Sequence, residues 1–96
     1  MRDIAHKQDK DEGVFLASLE NTVLGEMSYR MESPAIMAIE HTEVKESERG
    51  NSLGMELLDV AVAFARDKNC KIRPVCKFVN VMFEKNTAKY GDVNIN

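Results

Sequence analysis

Between His41 and Gly54 the chain reads His-Thr-Glu-Val-Lys-Glu-Ser-Glu-Arg-Gly-Asn-Ser-Leu-Gly, and this stretch holds the residues best suited to bind an anion. A strand-like apolar pattern enters it from Ala35, and a long amphipathic helix pattern leaves it. A strand, a glycine-bearing turn and a helix N-terminus leave backbone N–H groups unpaired and aim the positive end of the helix dipole at the same spot, which suits a phosphate. A Walker A loop would need a lysine directly after the last glycine, and Met55 stands there. The three glycines of a dinucleotide-binding turn are also absent. Taken alone, Gly50-Asn51-Ser52 also reads as an ordinary turn and helix N-cap.

The elements that must position this turn follow from the periodicity. Residues 3–8 are a weak, polar strand pattern, and 7–13 a charged turn ending in glycine. Val14 to Leu19 is a clearer strand, 20–22 a short turn, and 23–30 a loosely alternating strand carrying Leu24, Met27 and Tyr29. Glu32-Ser33-Pro34 breaks the chain before a fourth strand over 35–44, so an antiparallel meander is expected. Then the period changes. Leu53, Leu57, Leu58, Ala61, Phe64 and Ala65 recur at helical spacing, with Glu56, Asp59, Arg66 and Asp67 opposite. Lys68 suits the helix C-terminus and Asn69 a C-cap. A short strand over 71–75, a second helix over 77–86 with Phe78, Val81 and Met82 at core spacing, and an extended piece over 90–95 complete the chain. A strand–helix–strand sequence implies a right-handed parallel crossover. The C-terminal ends of the strands near Val44 and Val75 then share one sheet edge, where open α/β sheets bind ligands. His41, Thr42, Glu43, Cys76 and the 49–54 turn converge there.

The whole chain limits what that edge can do. Its 96 residues form one domain, and 44% hydrophobic with 30% charged residues describe a globular protein rather than a disordered one. A net charge of −3 argues against nucleic acid or an anionic membrane as the main partner. No apolar run reaches membrane-span length and the first ten residues are too polar for a signal peptide, so a cytoplasmic location is expected. Cys70 and Cys76 have neither zinc nor redox spacing, and no metal site is expected.

Arg49-Gly50-Asn51-Ser52-Leu53-Gly54 resembles the signature of the GNAT acyl-CoA N-acetyltransferases, Gln/Arg-x-x-Gly-x-Gly/Ala at the start of the helix after strand four. Arg49 and Gly54 match it, whereas Ser52 stands where the family usually has glycine. His41-Thr42-Glu43-Val44, the turn, Pro74-Val75-Cys76 and Phe83-Glu84-Lys85 together resemble the small YjdJ-like branch, whose short domains pair a His-Thr strand end with a cysteine opening the last helix. The resemblance spans residues 36–90. It implies a compact mixed α/β fold, mostly antiparallel with one parallel crossover and a C-terminal helix. It also implies acetyl transfer from acetyl-CoA to an amine. The pyrophosphate would lie on the turn formed by Arg49, Gly50, Asn51, Ser52, Leu53 and Gly54, and pantetheine along the backbone near Thr42 and Val44, beside Cys76.

Acetyl transfer needs a deprotonated amine, a polarised carbonyl and a stabilised leaving thiolate. Backbone N–H groups near Glu43 and Val44 are the expected polarisers. Histidine is the side chain best suited to act as a base near neutral pH, so His41 leads as the base, with Glu43 second; otherwise His41 orders the strand end. Cys76 is expected at a helix N-terminus, a position whose dipole suits a nucleophilic thiol, and could accept the acetyl group or simply pack against pantetheine. The superfamily's leaving-group tyrosine aligns with Phe83, which has no proton to give, and Tyr90 lies too far along to replace it. Ser52 and Phe83 leave a non-catalytic acyl-CoA-binding module as the alternative. The chain has no room for the extra elements with which longer relatives enclose an acceptor, so an exposed lysine or another protein's N-terminus is the expected amine.

Overall fold

A computed structural model of the protein describes residues 3–50 and 52–95. Five strands form one sheet: β1 (Asp3–Asp9), β2 (Glu12–Leu19), β3 (Thr22–Ser33), β4 (Ile36–Val44) and β5 (Lys71–Pro74). Their order in the sheet is their order in the chain. The first four pair antiparallel, and β5 runs parallel to β4 with Ile36 opposite Lys71 and Ile39 opposite Pro74. The mixed α/β arrangement with one parallel crossover is therefore as expected from the sequence.

The hairpins are tighter than the sequence pattern suggests. Glu20 and Asn21 alone join β2 to β3, both in the left-handed region (φ 51° and 69°). Two positive φ values give the turn whose twist matches the flanking strands. Pro34 and Ala35 alone join β3 to β4, so Glu32 and Ser33 lie in β3 and Ala35 lies outside β4, contrary to the expected break. Ser33 still pairs with Ile36 beyond a register shift at Glu32, and exposed charges meet here: Arg30 lies 2.7 Å from Glu12, and Arg73 2.7 Å from Glu32.

Helix α1 (Leu53–Asp67) crosses from β4 to β5 and buries Leu53, Leu57, Leu58, Ala61, Val62 and Ala65. Those side chains meet Phe15, Ala17, Met27, Tyr29, Met37, Ile39 and Ile72 from one face of the sheet in a single core. Val14, Leu16, Ser28 and Arg30, which point the other way, are half-buried or exposed. At the C-terminus of α1, Asn69 is left-handed (φ 57°). Its N–H donates to the carbonyl of Arg66, and that of Cys70 to the carbonyl of Ala65. These two bonds make the Schellman cap that an asparagine at this position favours.

Helix α2 (Lys77–Lys85) turns a different face inward than its spacing suggested. Val79 and Phe83 are its buried residues, while Phe78, Val81 and Met82 are half-buried. Phe78 and Met82 of the expected stripe still pack against the core, and Phe78 also meets Gly54 of α1. The extended piece expected over 90–95 is also corrected. Tyr90 ends a short helix, α3 (Thr87–Tyr90), and only Asn94 forms a bridge, to Ile72. The phenol of Tyr90 is buried and donates to Asp59 at 2.8 Å, which fixes this residue as a helical anchor. Arg66 donates two bonds to Asp92, both 2.9 Å, and ties the following turn to α1.

Candidate active site

The ladder between β3 and β4 contains the irregularity that builds the site. Ser28 pairs with His41, but Tyr29 pairs with Ile39, so Glu40 is an extra residue on β4. Such a bulge reverses the alternation of side chains along a strand. Met37 and Ile39 point at the helices before it, and Thr42 and Val44 do so after it. His41 and Glu43 are thereby turned to the other face, 61% and 70% exposed, with Nε2 and Oε2 3.6 Å apart.

β5 stops accompanying β4 at Ile39. Pro74 has no N–H for the ladder, and the N–H groups of Val75 and Cys76 both turn back to the carbonyl of Ile39, at 3.0 and 3.1 Å. Beyond that point, among the described residues, the backbone of β4 is bonded only on its β3 side. The N–H of Lys45 donates to Leu24, and Lys45, Glu43 and His41 alternate in facing β3. The peptide groups of Thr42 and Val44 therefore face the side that β5 has left. Of the backbone polarisers expected near Glu43 and Val44, Val44 and its neighbour Thr42 have the right direction and Glu43 does not.

A cleft of about 520 Å³ opens along that edge. It is lined by Thr42, Glu43 and Val44 of β4, by Glu48, Arg49, Gly50 and Ser52 of the turn, by Leu53, Gly54 and Met55 of α1, and by Phe78. The expected cofactor residues thus meet in one place, except Asn51, which lies outside the described residues, and Cys76, which stands behind Thr42. The Cys76 Sγ is 3.3 Å from the Thr42 Oγ1. His41 does not line the cleft. It stands on the far face of the strand from Cys76.

The turn and helix start suit an anion. Gly50 has a φ of 88°, and nothing approaches within 4 Å of where a Cβ would stand. Its backbone is open to a bulky group. Ser52, where the family motif has glycine, is left-handed (φ 63°) and makes no side-chain cap bond. The N–H groups of Leu53, Gly54 and Met55 fall in the first turn of α1, where a helix offers no internal acceptor. Arg49 supplies a positive charge at the rim, opposed by Glu48 and Glu43 in the same lining. Gly54 is required for a reason the sequence did not reveal: a Cβ there would lie 2.8 Å from Cζ of Phe78. The Phe78 ring occupies its bare side. Phe78 was read from its spacing as core. Its place on the cleft wall had no sequence signal beyond its nearness to Cys76.

Phe83 is buried against Tyr90, ring centroids 5.2 Å apart, and Tyr90 is committed to Asp59. Neither phenyl nor phenol lines the cleft.

A family model described as GCN5-related N-acetyl-transferase matches residues 14–93. The chain belongs to the GCN5-related N-acetyltransferase family. A GCN5-like protein from Staphylococcus aureus, solved by NMR, is 34% identical with a TM-score of 0.72, over 96% of this chain and 88% of that one. The ribosomal-protein-alanine N-acetyltransferase of Brucella melitensis biovar Abortus 2308 shares the fold at 17% identity and a TM-score of 0.64, over 81% of this chain and 64% of that one. A GNAT acetyltransferase of Elizabethkingia anophelis, crystallised with acetyl-CoA bound, shares it at 16% and 0.66, over 81% of this chain and 54% of its own. Against these two the N-acetyltransferase described here spans about half to two thirds of the length. A search of curated proteins finds no match. No helix among the described residues is long and apolar enough to cross a membrane.

Proposed function

We propose that this N-acetyltransferase binds acetyl-CoA in the cleft between Thr42–Val44 and the 49–54 turn, and transfers its acetyl group to an exposed amine of a protein or peptide in the cytoplasm. The pairing of His41-Thr42 with Cys76 supports a place in the small YjdJ-like branch. The observation that carries the reading is the unpaired edge of β4 at Thr42 and Val44, running directly into the open backbone of Gly50 and the first turn of α1. The bound cosubstrate supplies an activated acyl group there. One of the outward peptide N–H groups of Thr42 and Val44 polarises its carbonyl while the other pairs with the cosubstrate's chain, and the Gly50–Met55 backbone with Arg49 holds its phosphates.

The acceptor approaches from the uncovered face of the sheet. His41 takes the proton of the amine, and Glu43, 3.6 Å away, steadies the imidazolium that forms. On the opposite side of the strand, the Cys76 thiol beside the Thr42 hydroxyl protonates the departing sulfur, the task that Phe83 cannot perform. A second reading rests on the same contact. The Cys76 thiolate attacks the carbonyl, the bond to the CoA sulfur breaks, and the amine then displaces Cys76 while His41 removes its proton.

Calorimetry with acetyl-CoA tests binding, and no heat at high micromolar ligand would overturn it. Screening acceptors with His41→Ala against wild type tests the base, and equal rates would reject it. Mass spectrometry after saturation with acetyl-CoA separates the two roles of Cys76, since only the second leaves an acetyl group on that thiol.

A further inference from the structure

The mechanism above uses Cys76 but not the groups that hold it, and one of these is a side chain. The Nδ2 of Asn80 donates to the carbonyl of Pro74 at 2.9 Å and to the carbonyl of Cys76 at 3.2 Å. Both partners are carbonyl oxygens, so the amide can be oriented only one way, with its nitrogen inward. The backbone N–H of Asn80 donates to the same Cys76 carbonyl, also at 3.2 Å, as the first bond of α2. Residue 76 is therefore held at its N–H by Ile39, at its carbonyl by Asn80, and at its Sγ by Thr42. As N-cap of α2, Cys76 makes no capping bond of its own, so its side chain is free to point at Thr42. Pro74 cannot continue the ladder, and the bond from Asn80 to its carbonyl closes the turn at the point where β5 leaves β4.

We propose that Asn80 is a positioning residue of the transfer reaction: by clamping the carbonyls of Pro74 and Cys76 it sets the direction of the Cys76 thiol toward the Thr42 edge of the cleft. This rests on the proposed placement of acetyl-CoA along that edge. Asn80 touches neither the cleft nor the acyl group. It acts through the turn that carries the thiol. A side chain whose only task was to start the helix would not need to reach back to Pro74.

The experiment follows Cys76 rather than turnover. Wild type and the Asn80→Ala, Asn80→Asp and Asn80→Gln variants are alkylated with iodoacetamide from pH 6 to 10, and modification at Cys76 and Cys70 is read separately by mass spectrometry. Cys70 is buried and serves as the internal monitor of folding. Asn80→Ala is expected to change the Cys76 alkylation rate at least threefold while Cys70 stays protected. In Asn80→Asp a carboxylate faces the carbonyls of Pro74 and Cys76 and brings a negative charge to the turn that carries the thiol, so the pH midpoint of Cys76 modification moves up by half a unit or more. Asn80→Gln retains the donor and returns the rate toward wild type. Acetyl-CoA affinity, measured by calorimetry, changes less than twofold in the glutamine variant. A Cys76 rate and pH profile equal to wild type in both Asn80→Ala and Asn80→Asp would overturn the proposal. So would loss of Cys70 protection in all three variants, which would mark Asn80 as a purely structural residue. Failure of wild type to bind acetyl-CoA would overturn the function reading instead, and the alkylation comparison would still decide the role of Asn80.

Discussion

Ile39 and Thr42, three residues apart on β4, point to the same face of the sheet because Glu40 is an extra residue in the ladder. Regular alternation would have put His41 beside Ile39 in the core and Thr42 outside. The bulge instead brings Thr42 to Cys76 and turns His41 and Glu43 toward the uncovered face. One inserted residue thus sets the thiol and the imidazole on opposite sides of the edge proposed for the reaction.

Gly54 and Phe78 should be energetically coupled. In Gly54→Ala the new methyl gains about 1 kcal/mol of helix propensity but meets the ring at 2.8 Å, an overlap of the kind that costs about 1–3 kcal/mol. The expected outcome is a net loss of about 1 kcal/mol in urea unfolding, with weaker acetyl-CoA binding as α1 and α2 are pushed apart. Adding Phe78→Ala should remove the penalty of the methyl, so the double-mutant cycle shows a coupling of about 1 kcal/mol or more.

Ser52 occupies a backbone conformation that costs an L-residue about 1–2 kcal/mol. Glycine would relieve that cost but lose about 0.5–1 kcal/mol through its freedom in the unfolded chain. Ser52→Gly is therefore expected to stabilise the protein by about 0.5–1 kcal/mol, read as a higher urea midpoint at unchanged slope. A fall in stability would mean that the hydroxyl contributes something the backbone geometry does not require.

The acid limb of stability should carry the signature of His6. Its ring stacks on Phe15 at 4.3 Å between centroids, meets Phe64 edge-on at 4.6 Å, and bonds through Nε2 to the Tyr29 hydroxyl. Desolvation by these rings, on a residue that is otherwise exposed, holds its pKa below the ordinary imidazole value. The unfolded chain then binds this proton at higher pH than the folded one, so the contribution is complete above the unfolded pKa near 6.5 and is lost as pH falls toward the folded value. Urea midpoints at pH 7.5 and 5.5 should differ more in wild type than in His6→Phe, whatever the variant's absolute stability.

Tyr90 should govern the alkaline limb. Burial, and then its bond to Asp59, raises the phenol above its ordinary value. Stability from this group is complete below the unfolded pKa near 10 and is lost as pH rises through the folded one. Tyr90→Phe is expected to cost about 1–2 kcal/mol at neutral pH, through the lost bond to a carboxylate, and to flatten the alkaline decline. Thermal unfolding from pH 7 to 11 reads both effects.

What the sequence disclosed was what periodicity and local turn chemistry encode. The stripe from Leu53 to Ala65 fixed α1, Asn69 marked its cap, and the strand–helix–strand order brought Thr42, Val44 and the 49–54 turn to one edge. What stayed hidden depended on contacts between distant segments. The insertion of Glu40 is a matter of register between two strands, and either alternation of 35–44 is compatible with its composition. The packing reason for Gly54 stayed hidden because nothing in its neighbourhood named Phe78, 24 positions later. The inward face of α2 could not be chosen from spacing alone, since Phe78, Val79, Val81, Met82 and Phe83 offer two apolar stripes. Residues 90–95 read as extended because no local signal shows that the Tyr90 phenol reaches Asp59.

Strand order matching chain order has a consequence for how the molecule assembles. The four antiparallel strands are joined by two-residue turns, so their pairings close short loops and cost little chain entropy. The seam between β4 and β5 is different: Ile36 meets Lys71 only after all of α1 has been laid across the sheet. Joints between segments so far apart in sequence are the slow ones in folding. The cleft lies where this joint stops short, past Ile39. A substrate seated there completes the most distant contact in the sheet, and its arrival should be felt first in the hydrogen-exchange rates of Thr42 and Val44.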